Sequence, residues 1–180
     1  MELIPIVNQI FSLLTVAGQI IVAVLIVSLA TKRSEILNFF AEHAFAFSLT
    51  VALIATLGSL FYSEIAGYEP CKLCWFQRIL MYPQVILLGI AWLKKDNGIV
   101  LYSIVLSSLG ALIAGYNYLL QIGLAPAIGC SVVGYSINCA QRFVMQFGYI
   151  TIPMMALTAF LLIISFMTIF KRSSLSPLIK

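Results

Sequence analysis

Five apolar stretches, each close to the length a helix needs to cross a bilayer, constrain this chain of 180 residues more than any other feature. They cover residues 10–30, 44–62, 75–93, 98–121 and 149–170. A spanning helix needs roughly 20 predominantly apolar residues. Composition agrees with lipid as the main solvent. Hydrophobic residues make up 62% of the chain and charged residues 9%, against about 25% charged in a soluble domain. Mean hydropathy is +1.09. So few charges cannot cover a water-facing surface of this size.

The first apolar run lacks the basic leader of a signal peptide. Glu2 is the only charge before it, and Lys32 and Arg33 follow it. The expectation is an uncleaved helix with its N-terminus outside. The net charge of +4 does not indicate nucleic acid, because the basic residues fall at the ends of the apolar runs. With five spans, Lys32, Arg33, Lys94, Lys95, Lys171, Arg172 and Lys180 share one side, and Lys72, Arg78 and Arg142 fall on or near the other. That bias places the first group in the cytoplasm. Two longer loops, residues 63–74 and 122–148, then face outward.

All four cysteines lie in those outer loops or at their edges: Cys71, Cys74, Cys130 and Cys139. Disulfides can form and persist there. Tyr62, Tyr68, Trp75, Phe143, Phe147 and Tyr149 are expected near the outer interface as membrane anchors, and Trp92 and Tyr102 near the inner one. Ser107, Ala111 and Gly115 recur every four residues and predict close helix packing. Residues 140–147 read as a short amphipathic segment lying on the membrane surface. The sole histidine, His43, is expected to pair with Glu42, Glu35 or a lipid headgroup.

Cys71-Lys72-Leu73-Cys74 is a Cys-x-x-Cys between Pro70 and an apolar helix. A helix N-terminus and nearby basic residues both favour the thiolate, which is the reactive form. Arg78 follows Cys74 by four residues, on the same helix face one turn deeper. It either snorkels to headgroups or faces the bundle and binds a polar group such as a quinone carbonyl, with Gln77 as a further donor. The second pair, Cys130 and Cys139, sits in a loop containing Gly129 and Gly134.

Structural staples, a zinc site and a redox relay are the three readings of these cysteines. Zinc is disfavoured because one pair alone has Cys-x-x-Cys spacing and an oxidising face disfavours free thiolates; no metal is expected. A staple across two residues gains little, whereas a Cys-x-x-Cys at a helix start is more often redox active. A relay needs a final two-electron acceptor in the membrane, and no haem, flavin or iron–sulfur motif is present. A lipid-soluble quinone meets that need.

The string from Tyr68 to Pro83, YEPCKLCWFQRILMYP, resembles the PCxxCxxQRxxMYP signature of the DsbB/BdbC family of disulfide-bond formation proteins. Cys130 and Cys139, followed by Phe147-Gly148-Tyr149-Ile150-Thr151-Ile152-Pro153, resemble its second loop and last helix. The resemblance covers residues 44–170. It implies a four-helix bundle in the bacterial cytoplasmic membrane that oxidises a DsbA-like thioredoxin-fold thiol oxidase and passes the electrons to ubiquinone or menaquinone. By position, Cys74 would face the quinone, Cys71 would exchange with the loop pair, Cys130 would form the mixed disulfide with the partner, and Cys139 would shuttle to Cys71. Arg78 would hold the quinone, with Gln77 beside it.

This chain departs from the family's four spans by one extra N-terminal span. The expected architecture is therefore an all-α integral membrane protein. Residues 1–36 form the added helix, 37–173 a four-helix bundle with two outer cysteine loops, and 174–180 a cytoplasmic tail. Two alternatives stand beside this one. Vitamin K epoxide reductase-like proteins also link cysteine pairs to quinones, with the pairs in the opposite order. A non-enzymatic membrane protein with stapled loops would use its cysteines for structure alone.

Overall fold

The computed structural model describes residues 3–31, 34–125 and 138–175. Among these residues the elements are helical: α1 (Leu3–Thr31), α2 (Ser34–Glu42), α3 (Ala44–Leu60), α4 (Lys72–Lys94), α5 (Ile99–Gln121) and α6 (Ile152–Leu175). A π-helical turn, Phe61–Ile65, extends α3. Five helices are long and apolar enough to cross a membrane. Each expected span is present, and α1 starts well before residue 10.

Helices α3, α4, α5 and α6 close a ring, α3 on α4, α4 on α5, α5 on α6 and α6 on α3, while α1 packs on the outside against α6. Lipid is as apolar as leucine, so close packing and interhelical hydrogen bonds must hold such a ring. The core supplies both. Phe160, Ile163 and Met167 of α6 are fully buried at its centre. Gln84 of α4 is also fully buried, and its Oε1 accepts from Ser103 Oγ at 2.8 Å and Ser107 Oγ at 3.1 Å on α5. Interhelical bonds of this kind are worth about 0.5–2 kcal/mol each.

The packing face of α5 corrects the expected small-residue stripe. Ser103, Ser107, Gly110, Ala114, Asn117 and Gln121 form the small and polar part of the buried face, which also holds Val100 and Leu120. They alternate steps of four and three as a period of 3.6 requires. Strict steps of four drift around the axis, and a Cβ on Gly115 would meet nothing within 4 Å. Gly110 is the close-approach point, where a Cβ would run into the ring of Phe160.

Helix α2, unforeseen in the sequence, covers the end of the bundle away from the cysteines. It is too short to span and amphipathic, with Ala41 buried and Phe39 exposed. Phe40 stacks on Phe166 of α6 at 5.7 Å. His43 follows directly, and its Nδ1 lies 3.1 Å from the Phe39 carbonyl oxygen instead of meeting a carboxylate. Between α4 and α5, Lys95 takes a left-handed conformation (φ 55°) and Gly98 N donates to Asp96 Oδ1 at 2.8 Å. This tight turn forces the two helices antiparallel.

Residues 140–147 form no helix. Gln146 and Ile150 exchange backbone hydrogen bonds of 2.9 Å across a turn in which Phe147 (φ 51°) and Gly148 (φ 78°) are left-handed. Helical geometry is incompatible with those two residues, which explains why the apparent amphipathic period does not fold as such.

Candidate redox site at the cysteine end of the bundle

Cys71 is the N-cap of α4, with extended backbone (φ −69°, ψ 170°), and its carbonyl accepts the first helical bond from Trp75 N at 3.1 Å. Pro70 before it disfavours helical geometry at Glu69 and delays the helix start. The unpaired N–H groups of the first turn therefore point toward the Cys71 sulfur.

Cys71 and Cys74 are free thiols with sulfurs 3.1 Å apart. The Cys71 thiol is lowered to about 6, chiefly by the hydrogen bond from the Cys74 side chain. The backbone N–H groups of Cys74 and Leu73 and the Asn117 amide add to the lowering, while burial opposes it. Cys71 therefore becomes thiolate at a lower pH than an ordinary cysteine, whose pKa is near 8.5. Thiolate absorbance followed across pH is expected to show a Cys71 transition near 6, below which the nucleophile is lost by protonation. Cys74→Ala should move that transition upward, because the largest lowering cause is removed. A Cys71 midpoint that stays in place in the variant would rule out the shared proton as the cause.

Cys139 is disulfide-bonded and 2% exposed, and it packs in one apolar cluster with Cys71 and Leu120. The segment carrying it is tied to α5 where Gln121 Nε2 donates to the Gln141 carbonyl at 3.0 Å. Cys130 lies outside the described residues. Three of the four cysteines expected to act are thus brought to one end of the bundle.

A cavity of about 320 Å³ opens beneath them, within the range typical of small-molecule sites. Cys71, Cys74, Gln77 and Arg78 all line it, and most of its remaining wall is apolar. Gln77 is buried, and its Nε2 donor has no hydrogen-bond partner among the described residues. Arg78 is half-buried. Its Nε donates to Ser59 Oγ at 2.9 Å and its second guanidinium nitrogen to the Ser59 carbonyl at 3.0 Å. Tyr82 Oη also donates to Ser59 Oγ, at 3.2 Å. The guanidinium carbon lies 5.4 Å from the Trp75 ring centre, within cation–π range. Arg78 is therefore anchored within the protein, not extended to headgroups.

Three of the expected anchor aromatics serve this site instead. Tyr68 stacks on Tyr62 at 6.0 Å and on Phe143 at 4.8 Å, with near-parallel planes. All three line the cavity. Single-residue hydropathy cannot separate an interfacial ring from one stacked over a cavity.

Asn117 also escaped notice. It is fully buried on α5, its Nδ2 donates to Cys74 Sγ at 3.6 Å, and its Oδ1 has no partner among the described residues. An amide inside an otherwise apolar span is costly, and that cost was the available signal. Gln121, four residues on, carries the same one.

The sequence profile of the DsbB family, described as disulfide bond formation protein DsbB, matches residues 41–170. Similar proteins include disulfide bond formation protein C of Bacillus subtilis (strain 168), 44% identical over 129 residues, spanning 69% of this chain and 89% of that protein. Probable disulfide formation protein C 1 of Bacillus anthracis is 44% identical over 122 residues, or 68% and 87% of the two chains. A probable disulfide formation protein of Coxiella burnetii (strain Dugway 5J108-111) is 40% identical over 138 residues, or 73% and 92%. No solved structure matches. The matched profile leaves residues 1–40 outside it, which removes α1 and nearly all of α2.

Proposed function

The chain belongs to the DsbB family of disulfide bond formation proteins, and from that premise we propose that it is a membrane thiol:quinone oxidoreductase that reoxidises a DsbA-like thioredoxin-fold protein. The observation that carries this is the single cavity onto which Cys71, Cys74, Gln77 and Arg78 converge. Residues 37–173 form the oxidoreductase unit, with 1–36 added before it and 174–180 as a tail. The cysteine end faces outward. Lys94, Lys95, Lys171 and Arg172 mark the cytoplasmic end, following the positive-inside rule.

The residues present fit a quinone. Its ring is flat and apolar with two carbonyl acceptors, and the cavity offers apolar walls, the partnerless Gln77 Nε2 and the Arg78 guanidinium. When bound, a quinone supplies a two-electron, two-proton acceptor. Gln77 and Arg78 would hold it by its carbonyls beside Cys74, one helical turn from Arg78.

The chain's own sulfurs then do the exchange. A partner dithiol attacks the loop disulfide of Cys130 and Cys139. The partner leaves oxidised, and the loop is left as a dithiol through a mixed disulfide on Cys130. Cys139 next attacks Cys71 of the oxidised Cys71–Cys74 pair, transferring the same two electrons. That attack displaces Cys74 as the thiolate and joins Cys139 to Cys71. Cys130 then attacks Cys139 and displaces Cys71, whose lowered pKa makes it a good leaving group. Cys71 and Cys139 share one apolar cluster. Closing Cys71 and Cys74 back to a disulfide releases two electrons and two protons, the amounts a quinone accepts.

The test is quinone reduction by purified protein, driven by a reduced thioredoxin-fold dithiol. One quinol should form for each partner disulfide. Partner oxidation without quinol would end the quinone assignment, and no turnover of folded protein with ubiquinone or menaquinone would leave the cysteines a structural role.

A further inference from the structure

We infer that α1, the helix outside the family match, builds a subsite for the isoprenoid tail of the quinone; this rests on the quinone reading above. The cavity does not end at the redox groups. It continues as an apolar slot walled on one side by Phe11, Thr15, Gly18 and Ile21 of α1. Ten residues separate the first from the last of these, about 15 Å along a helix axis. Val51 of α3 and Leu162 of α6 line the same slot, more than two helical turns from Tyr62 and from the start of α6. A quinone ring requires no such depth, whereas a chain of several isoprenoid units does.

Helix α1 is seated too specifically for a plain anchor. Its buried positions are Asn8, Ser12, Thr15, Gly18, Leu25 and Ser28, one mostly small and polar face, while Ile6, Leu13, Ile20 and Val27 on other faces are exposed. Gly18 lets the backbone approach α6, where a Cβ would stand 3.0 Å from Thr158 and Leu162 side-chain atoms. Gln19 accepts from Tyr149 Oη at 2.9 Å and donates to Thr158 Oγ1 at 3.5 Å. At the cysteine end, the Phe11 ring lies against Gly58 and 6.0 Å from Tyr62. These contacts hold the wall in register with the redox groups.

The slot opens sideways. Leu14 and Ala17 both line it and are exposed, so a tail lying between α1 and the ring of helices can continue into lipid there.

The test uses the full chain and compares KM for an isoprenoid-tailed quinone with KM for the same ring without a tail. Thr15→Phe fills the slot at a buried position, and Leu14→Trp fills it at the open rim, where the fold tolerates bulk. In either folded variant the ratio of tailed to tail-free KM should rise on the order of tenfold, the scale set by losing apolar pocket contacts. An unchanged ratio in folded, active variants would overturn the tail subsite alone. Absence of quinone turnover in the wild type would overturn the oxidase reading and this inference with it.

Discussion

Cys74→Ser is expected to stop quinone reduction, with a loss on the order of 10³-fold or more, the scale seen when one member of a catalytic unit is removed. Serine preserves size and a hydroxyl, and Asn117 Nδ2, which lies 3.6 Å from the sulfur, can still donate to it. Packing is therefore retained while the redox pair is destroyed, because a lone Cys71 cannot close an intramolecular disulfide. The loop pair should still oxidise one equivalent of partner thiol in a single burst, since Cys139 arrives disulfide-bonded. Steady turnover and quinol formation should both vanish. Quinol formed at the wild-type rate by the serine variant would remove Cys74 from the electron path.

Arg78→Ala should raise KM for quinone roughly 10- to 100-fold, the equivalent of one charge-assisted hydrogen bond of about 1.5–3 kcal/mol. KM for the thiol partner should stay as it was, because Arg78 lines the cavity beneath the cysteines. Its Ser59 bonds complicate a simple reading: the alanine variant leaves the Ser59 carbonyl without its guanidinium donor. Arg78→Lys separates the two roles. Lysine keeps the charge and loses the planar fork, so quinone KM should fall between wild type and alanine. A quinone KM unaffected by alanine, with a lowered melting temperature, would make Arg78 a purely structural clasp on α3.

The spans were legible because lipid exposure demands long apolar runs, and length alone reports them. The Cys-x-x-Cys was equally legible, since spacing and a preceding Pro70 mark a helix start. Helix α2 was not, because nine amphipathic residues beside a long apolar run carry no span signal. The stack of Tyr62, Tyr68 and Phe143 was hidden for a different reason: the rings come from two segments far apart in the chain, and no local period links them. Residues 140–147 misled because spacing of Phe143 and Phe147 fits a helix, while the left-handed Phe147 and Gly148 forbid one.

By itself the sequence determined a helical membrane protein with Cys71, Cys74 and Cys139 at one end, since hydropathy, charge placement and cysteine position are properties of the chain in order. Only the tertiary structure decided which faces meet. It set Asn117 behind Cys74, anchored Arg78 on Ser59 and laid α1 along the cavity. Lipid accepts almost any rotation of an apolar helix about its axis, so those choices fall to the few small and polar residues that pack and hydrogen-bond across helices.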